Sequence, residues 1–183
     1  MISRRSVDIP STDGRTLSGY AAVYREPSLP ITDHANPRPY VERIAPGAFG
    51  DSISGDVELL YNHDDSAVPL ARTISGTLGF KSDGTGLRFE AKLPNTARAD
   101  EIIAALQRGD LTGAMSFGFH VEDDVWNRDR SERIVKRARI VEASLVKRAA
   151  YPQTYSSLRS VSEAVNDAAR ARLMLSLARL RNV

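Results

Sequence analysis

The 183-residue chain contains no cysteine, which excludes disulfides, thiol catalysis and cysteine metal sites. It has no apolar run long enough for a membrane-spanning helix. No hydrophobic stretch follows Arg4 and Arg5 as it would in a secretory signal. The formal net charge is only +2, which is a weak reason to expect a nucleic-acid partner. We therefore expect a soluble, intracellular protein with a single main domain.

Histidine is also scarce, and any mechanism that needs an imidazole base must use His34, His63 or His120. His34 lies in a proline-rich stretch that we interpret as a loop, whereas His63 follows a predicted strand. A metal site at His63, Asp64 and Asp65 would be short of neutral nitrogen ligands, and no H-E-x-x-H pattern is present. The sequence also lacks a phosphate-binding glycine loop and the usual aspartic-protease signature.

Alternating apolar and polar residues predict a mainly β domain, with one helix at 95–108 that Asn95 or Thr96 caps and Gly109 ends. A capping box at Ser160–Glu163 predicts a second, basic helix that runs to about Leu180. We therefore expect a β domain over 1–154 and a basic C-terminal helical appendage over 155–183. The predicted strands lie at 17–25, 40–44, 56–62, 70–75, 79–82, 87–93, 115–126 and 133–146.

The segment Leu111–Phe119 contains a serine with unusually open surroundings. Strand alternation places Met115, Phe117 and Phe119 on a core face and Ser116 on the other face, between Ala114 and Gly118. The hydroxyl of Ser116 is therefore a candidate nucleophile. Taken alone, the simpler interpretation is a strand serine beside a glycine that allows close backbone packing.

Glu142 is the one acid in the apolar segment 141–146, and such an acid usually has a partner. A serine nucleophile needs a base, and that base is usually an imidazole oriented by a third group. Ser116, His63 and Glu142 could supply these groups from neighbouring strands. The nucleophile-elbow spacing G-x-S-x-G is absent, so the site would belong to an antiparallel barrel or sandwich. His120 is about 13 Å from Ser116 along an extended strand, too far to be its base.

Several motifs occur in an order that resembles the tailed-phage prohead serine proteases, which mature capsids and are related in fold to herpesvirus assemblins. The resemblance covers about Thr16 to Ala150. The motifs are GYAAV at 19–23, ERIAPGAF at 42–49, NHD at 62–64, GAMSFGF at 113–119, EASLV at 142–146 and AYP at 150–152.

The resemblance implies an assemblin-like closed antiparallel or mixed β-barrel with a few surrounding helices. Ser116 would be the nucleophile, His63 the general base, and Glu142 the group that orients His63. The herpesvirus relatives use a second histidine in the third role, so Asp64, Asp65 and His120 remain alternatives to Glu142. A backbone N–H near Lys147–Arg148 or near Arg72 could stabilise the oxyanion.

The same resemblance implies a serine endopeptidase that needs no cofactor or metal. Its substrates would be the scaffold protein or the scaffold-like part of the major capsid protein, and also the protease itself, inside the prohead in the host cytoplasm. No membrane or specific nucleic-acid partner is expected, and a homo-oligomer is left open. The C-terminal helix could direct the chain into the scaffold, be removed on activation, or dimerise. The alternative is an assemblin-like module that is structural and inactive.

Overall fold

The computed structural model describes residues 14–32, 38–50, 53, 55–148 and 155–158. Within these ranges the chain is mainly β, as expected, with nine strands and one helix. In chain order they are β1 (Thr16–Val23), β2 (Val41–Ile44), β3 (Glu58–Tyr61), β4 (Ala71–Arg72), β5 (Leu78–Ser82), β6 (Gly86–Lys92), α1 (Ala97–Arg108), β7 (Met115–Trp126), β8 (Glu132–Leu145) and β9 (Tyr155–Leu158).

The strands form two sheets. The first is antiparallel with the order β5-β6-β1-β9. The second is mixed and is built on β8, which forms a long antiparallel hairpin with β7. The other edge of β8 pairs in parallel with β2 near its start and with β3 near its end, and β4 lies beyond β3. Because β8 has neighbours on both edges, it fixes the relative positions of three chain segments.

The closed barrel implied by the resemblance is not found among the described residues, whose strands remain in two hydrogen-bonded sheets. The two sheets nevertheless share one continuous apolar core. Leu17 and Phe89 contribute to it from the first sheet, Met115 and Leu145 from the second, and Ile102 from α1. In addition, β1 contacts β7, so the two sheets approach each other along this line.

Helix α1 begins and ends at the residues that the sequence indicated. The Thr96 side chain accepts a hydrogen bond from the Ala99 N–H, and Gly109 ends the helix with a left-handed φ of 82°. Glycine is favoured there because a side chain would be strained in that conformation. Ile102 is buried against the strands, while Ile103 and Leu106 are partly buried beside it.

The far end of the β7–β8 hairpin is attached to β2 by a partly buried ionic cluster. Arg133 bonds Asp124 at 2.6 Å and Glu42 at 3.2 Å, and the Glu42 side chain is only 4% exposed. Burial alone would lower the pKa of Arg133, but these two carboxylates outweigh it and raise the pKa. Arg133 and Arg130 also lie over the ring of Trp126, which contacts Tyr40. The hairpin is therefore held at the end opposite to Ser116.

Residues 155–158, which the sequence analysis assigned to the C-terminal appendage, form β9 against β1, with Tyr155 opposite Tyr20. The short strand has no glycine or proline signal of its own, and its pairing depends on β1, far away in sequence. The helix expected from Ser160 lies outside the described residues. The division of the chain at residue 154 thus stays a prediction.

Gly86 gives a test of the packing between β1 and β6. A Cβ built on Gly86 would overlap the carbonyl oxygen of Ala22, which is backbone and cannot move away cheaply. We expect Gly86→Ala to lower the free energy of unfolding by about 3 kcal/mol. Urea denaturation followed by circular dichroism would measure this change.

The matched control is Gly79→Ala on the adjacent strand β5, where a Cβ meets no atom within 4 Å. This variant should be neutral or slightly stabilising, since alanine restricts the unfolded chain more than glycine does. Equal stabilities for the two variants would contradict the observed β1–β6 register.

Candidate active site

His63 follows the end of β3 in a left-handed turn. Asn62 and His63 have φ values of 54° and 59°, which cost roughly 1 kcal/mol or more for each non-glycine residue. Three hydrogen bonds hold this turn against the end of β8. The Asn62 N–H donates to the Leu145 carbonyl (2.9 Å), the Lys147 N–H donates to Asn62 Oδ1 (3.3 Å), and the His63 N–H donates to Ser144 Oγ (3.3 Å). The strained turn is thus stabilised by β8 and the residues just after it.

Glu142 lies on β8 and contacts the His63 ring. Its Oε1 is 2.7 Å from His63 Nδ1, and its Oε2 accepts a hydrogen bond from the Ser144 hydroxyl at 2.6 Å. The Glu142 side chain is 18% exposed and that of His63 is 48% exposed. Because a carboxylate can only accept, the neutral imidazole donates from Nδ1 and keeps its lone pair on Nε2. Nε2 is therefore the nitrogen that can take a proton from another group.

Gly118 provides the space for the Glu142 carboxylate. It lies directly opposite Glu142 in the β7–β8 ladder. A Cβ on Gly118 would be 2.9 Å from Glu142 Oε1, closer than real Cβ atoms tolerate, and 3.1 Å from Glu142 Cγ, which is also tight. The carboxylate consequently lies over the bare backbone of β7.

Ser116 lies on β7, two residues before Gly118, and directly opposite Ser144 of β8. Directly paired residues of an antiparallel ladder share a face, so Ser116 is on the face that carries Ser144 and Glu142. Its neighbours Met115 and Phe117 are buried, as the alternation in the sequence predicted, and Ser116 is half-buried. The structure describes both Ser116 and His63, and no direct hydrogen bond joins their side chains. In substrate-free enzymes the hydrogen bond between nucleophile and base is often long or absent, and it shortens when substrate binds.

A β-bulge interrupts β8 next to Glu142. Strict alternation along β8 would put Ile140 on the same face as Glu142, but Gly118 pairs with Glu142 while the next residue, Phe119, pairs with Ile140. Val141 is the extra residue, and it is exposed. The inserted residue changes the parity of the strand, so Ile140 is buried in the core while Glu142 faces His63.

None of the alternatives to Glu142 that the structure describes forms a hydrogen bond or an ion pair with the His63 ring. Asp64 accepts hydrogen bonds from the Ser66 hydroxyl and N–H, which lower its pKa, and it faces Arg98 at 3.6 Å. Asp65 makes no bond to His63, and His120 is exposed opposite Arg139, beyond the bulge. His34 lies outside the described residues. Of the four candidates for the third role that the sequence offered, only Glu142 bonds the His63 ring.

Two of the suggested oxyanion donors are engaged elsewhere. The Arg72 N–H donates to Thr77 Oγ1 at 2.9 Å, and the Lys147 N–H donates to Asn62 Oδ1. Of the backbone groups named in the sequence analysis, the Arg148 N–H therefore stays the candidate oxyanion donor.

The parts of the chain that the structure describes contain no group of three His, Asp or Glu side chains able to hold a metal ion. No helix among them is long and apolar enough to cross a membrane.

Sequence reasoning missed the contributions of Ser144 and Asn62. Ser144 could have been found, because it lies two residues after Glu142 and alternation puts it on the same face. Asn62 could not, since its role depends on a left-handed turn and on a contact with Lys147 that is distant in sequence.

The hydroxyl on β7, the carboxylate on β8 and the imidazole in the turn after β3 are the kinds of group that form a serine-hydrolase site. The chain matches the family model of the caudovirus prohead serine proteases over residues 1–167. It therefore belongs to this family of serine proteases, which act in phage capsid maturation. No curated protein shows significant similarity to the chain.

Gly118→Ala tests how the site is built. The added methyl group would displace the Glu142 carboxylate, which is the end of a flexible side chain, so we expect the Glu142–His63 hydrogen bond to break. The free energy of unfolding should change by less than about 1 kcal/mol, because no backbone or core atom needs to move. A crystal structure of the variant and urea denaturation would measure the two effects. An unmoved carboxylate, or a loss of stability as large as that expected for Gly86→Ala, would contradict this account.

Proposed function

We propose that this protein is a serine endopeptidase of prohead maturation. It cleaves the scaffold protein or the scaffold-like part of the major capsid protein, and also itself. The observation that best supports the proposal is the 2.7 Å contact between His63 Nδ1 and Glu142 Oε1, beside the strand that carries Ser116. This contact leaves His63 Nε2 as the basic nitrogen, which is the tautomer a general base requires.

The proposed reaction has two halves. In the first, Ser116 Oγ attacks the scissile carbonyl while His63 Nε2 takes its proton, and the Glu142 carboxylate stabilises the imidazolium. His63 then gives this proton to the leaving amine, and the acyl group stays on Ser116. In the second half, water attacks the acyl-enzyme with His63 again as base, which releases the acid product and restores the Ser116 hydroxyl. No metal or cofactor takes part in this scheme.

The half-exposed ring of His63 is consistent with a protein substrate. A scissile bond must approach both Ser116 and His63 Nε2, and the exposed Val141 and His120 border the same face of the hairpin. An extended peptide can reach such an open site without a lid. Family membership supports action within the prohead in the host, with capsid components as the partners.

For the fold, we infer an assemblin-like barrel that closes along the line where β1 contacts β7. The shared core of the two sheets supports this inference. The protease domain would then include β9 and end near residue 158, a few residues beyond the boundary expected at 154, with the basic appendage following it. A catalytically inactive assemblin-like module is the second candidate. It is favoured by the observation that no direct hydrogen bond joins the side chains of Ser116 and His63.

A fluorophosphonate or phosphonate serine probe would separate the two candidates. We expect the purified protein to be labelled, Ser116→Ala to be unlabelled, and His63→Ala to be labelled at least about 10²-fold more slowly. The reason is that the hydroxyl is a weak nucleophile unless a base removes its proton. Labelling followed by mass spectrometry of the modified peptide would measure the rate and the position.

The control is Ser28→Ala, which removes a buried serine hydroxyl that accepts from the Glu42 N–H, away from the site. This variant should be labelled like the wild type. If the wild type and Ser116→Ala behave alike, both with the probe and with capsid precursor as substrate, the protein is the inactive module.

Glu142→Gln tests the third role. We expect kcat for a precursor-derived peptide to fall by at least about 10²-fold, because an amide can neither stabilise the imidazolium nor favour the Nδ1–H tautomer as a carboxylate does. Thermal unfolding should show a folded domain. The matched control is Glu132→Gln on the same strand, where the carboxylate accepts from Arg43 Nε at 2.6 Å. Unchanged kcat in Glu142→Gln would move the third role to Asp64, Asp65 or His120.

A further inference from the structure

Ser144 is a second serine within the site, and it is fully buried at 0% exposure. Its hydroxyl donates to Glu142 Oε2 at 2.6 Å and accepts from the His63 N–H at 3.3 Å. A hydroxyl has a single proton, so the donation to Glu142 uses the only one that Ser144 has. The same oxygen is therefore bonded to both members of the His63–Glu142 pair.

The bond to Glu142 limits rotation of the carboxylate. With Oε2 held by Ser144, Oε1 is the oxygen that remains for His63 Nδ1. The Glu142 side chain is still 18% exposed, so a carboxylate without this bond could turn towards water. Gly118 leaves the space on β7 open and cannot hold the carboxylate in place.

The bond to the His63 N–H acts on the backbone that carries the ring. His63 has a left-handed φ of 59°, a conformation that needs support from its surroundings. Ser144 Oγ is the hydrogen-bond acceptor for the N–H of this residue. It thereby links the turn after β3 to the strand that carries Glu142.

Ser144 is not an alternative nucleophile. It lies directly opposite Ser116 in the ladder, but its side chain is fully buried and its proton is donated to Glu142, while Ser116 is half-buried. A substrate carbonyl approaching this face can reach Ser116 and not Ser144.

We propose that Ser144 is a positioning residue that fixes the Glu142 carboxylate and the His63 backbone together, and so keeps the imidazole proton on Nδ1. The kinetic consequence of this inference rests on the proposed protease function. The structural consequence, which is the choice of tautomer, does not depend on that function.

The first experiment measures the tautomer of His63 without any need for activity. ¹⁵N NMR of the full chain in a Ser116→Ala background, at a pH where the imidazole is neutral, distinguishes Nδ1–H from Nε2–H. The chain has only three histidines, so His34→Gln and His120→Gln assign the signals. We expect Nδ1–H in the parent and a clear shift towards Nε2–H in Ser144→Ala.

Ser28→Ala is the matched control, since it also removes a buried hydroxyl that accepts a backbone N–H. It should keep the parental tautomer. Ser144→Cys, which has nearly the size of serine but a weaker donor, should give an intermediate mixture and serves if Ser144→Ala does not fold. An unchanged Nδ1–H tautomer in the folded Ser144 variant would overturn the inference.

The second experiment is a double-mutant cycle on kcat. We expect Ser144→Ala to lower kcat by about 10-fold to 100-fold with KM nearly unchanged, and to have less than about a 3-fold effect once Glu142→Gln is present. If the fold-decreases in kcat of Ser144→Ala and Glu142→Gln multiply fully in the double variant, Ser144 does not act through Glu142. If the wild type proves inactive, the proposed function fails, while the tautomer result still decides the inference about Ser144.

Discussion

The register of β8 against its two neighbours is the constraint on which the candidate site depends. Parallel pairing with β3 brings the residues after Tyr61 to the end of β8, where Leu145 and Ser144 bind the Asn62–His63 turn. Antiparallel pairing with β7 puts Gly118 opposite Glu142 and Ser116 opposite Ser144. A slip of one residue on either edge would move these side chains to the other face of the sheet. The serine, the imidazole and the carboxylate thus share one face because a single strand aligns the segments that carry them.

Several locally unfavourable features are concentrated around this strand. Two consecutive non-glycine residues adopt left-handed conformations, Glu142 is largely withdrawn from solvent, and a bulge at Val141 interrupts the β7–β8 ladder. Each has a compensating partner: the turn is bonded to β8, the carboxylate accepts from two donors, and the bulge turns Ile140 into the core. Departures from ideal geometry of this kind often occur at functional sites, where the surroundings hold a strained arrangement in place.

Much of the fold could be predicted from the sequence because it depends on local patterns. Period-two alternation identified the strands, and Thr96 and Gly109 marked the ends of α1. The burial of Met115 and Phe117 on either side of Ser116 and the partnered state of Glu142 also followed from the residues beside them. The bulge at Val141 could not be predicted, because the extra residue becomes visible only against the register of β7. Strand β9 was missed for a similar reason, since its pairing with β1 joins segments more than a hundred residues apart.

The position of β9 has a consequence for what a backbone cut would do to the molecule. β9 covers the edge of β1 that β6 does not occupy, and in sequence it follows β8. A peptide bond broken between residues 148 and 155 would remove the covalent link to everything downstream, and the described contacts that could still hold the downstream fragment are those of β9 with β1 and α1. Release would then require this four-residue strand to peel away, which would uncover an unpaired sheet edge able to accept another extended chain. Cleavage of the backbone and dissociation of the fragment would be separate events, and dissociation would depend on dilution or on a competing strand.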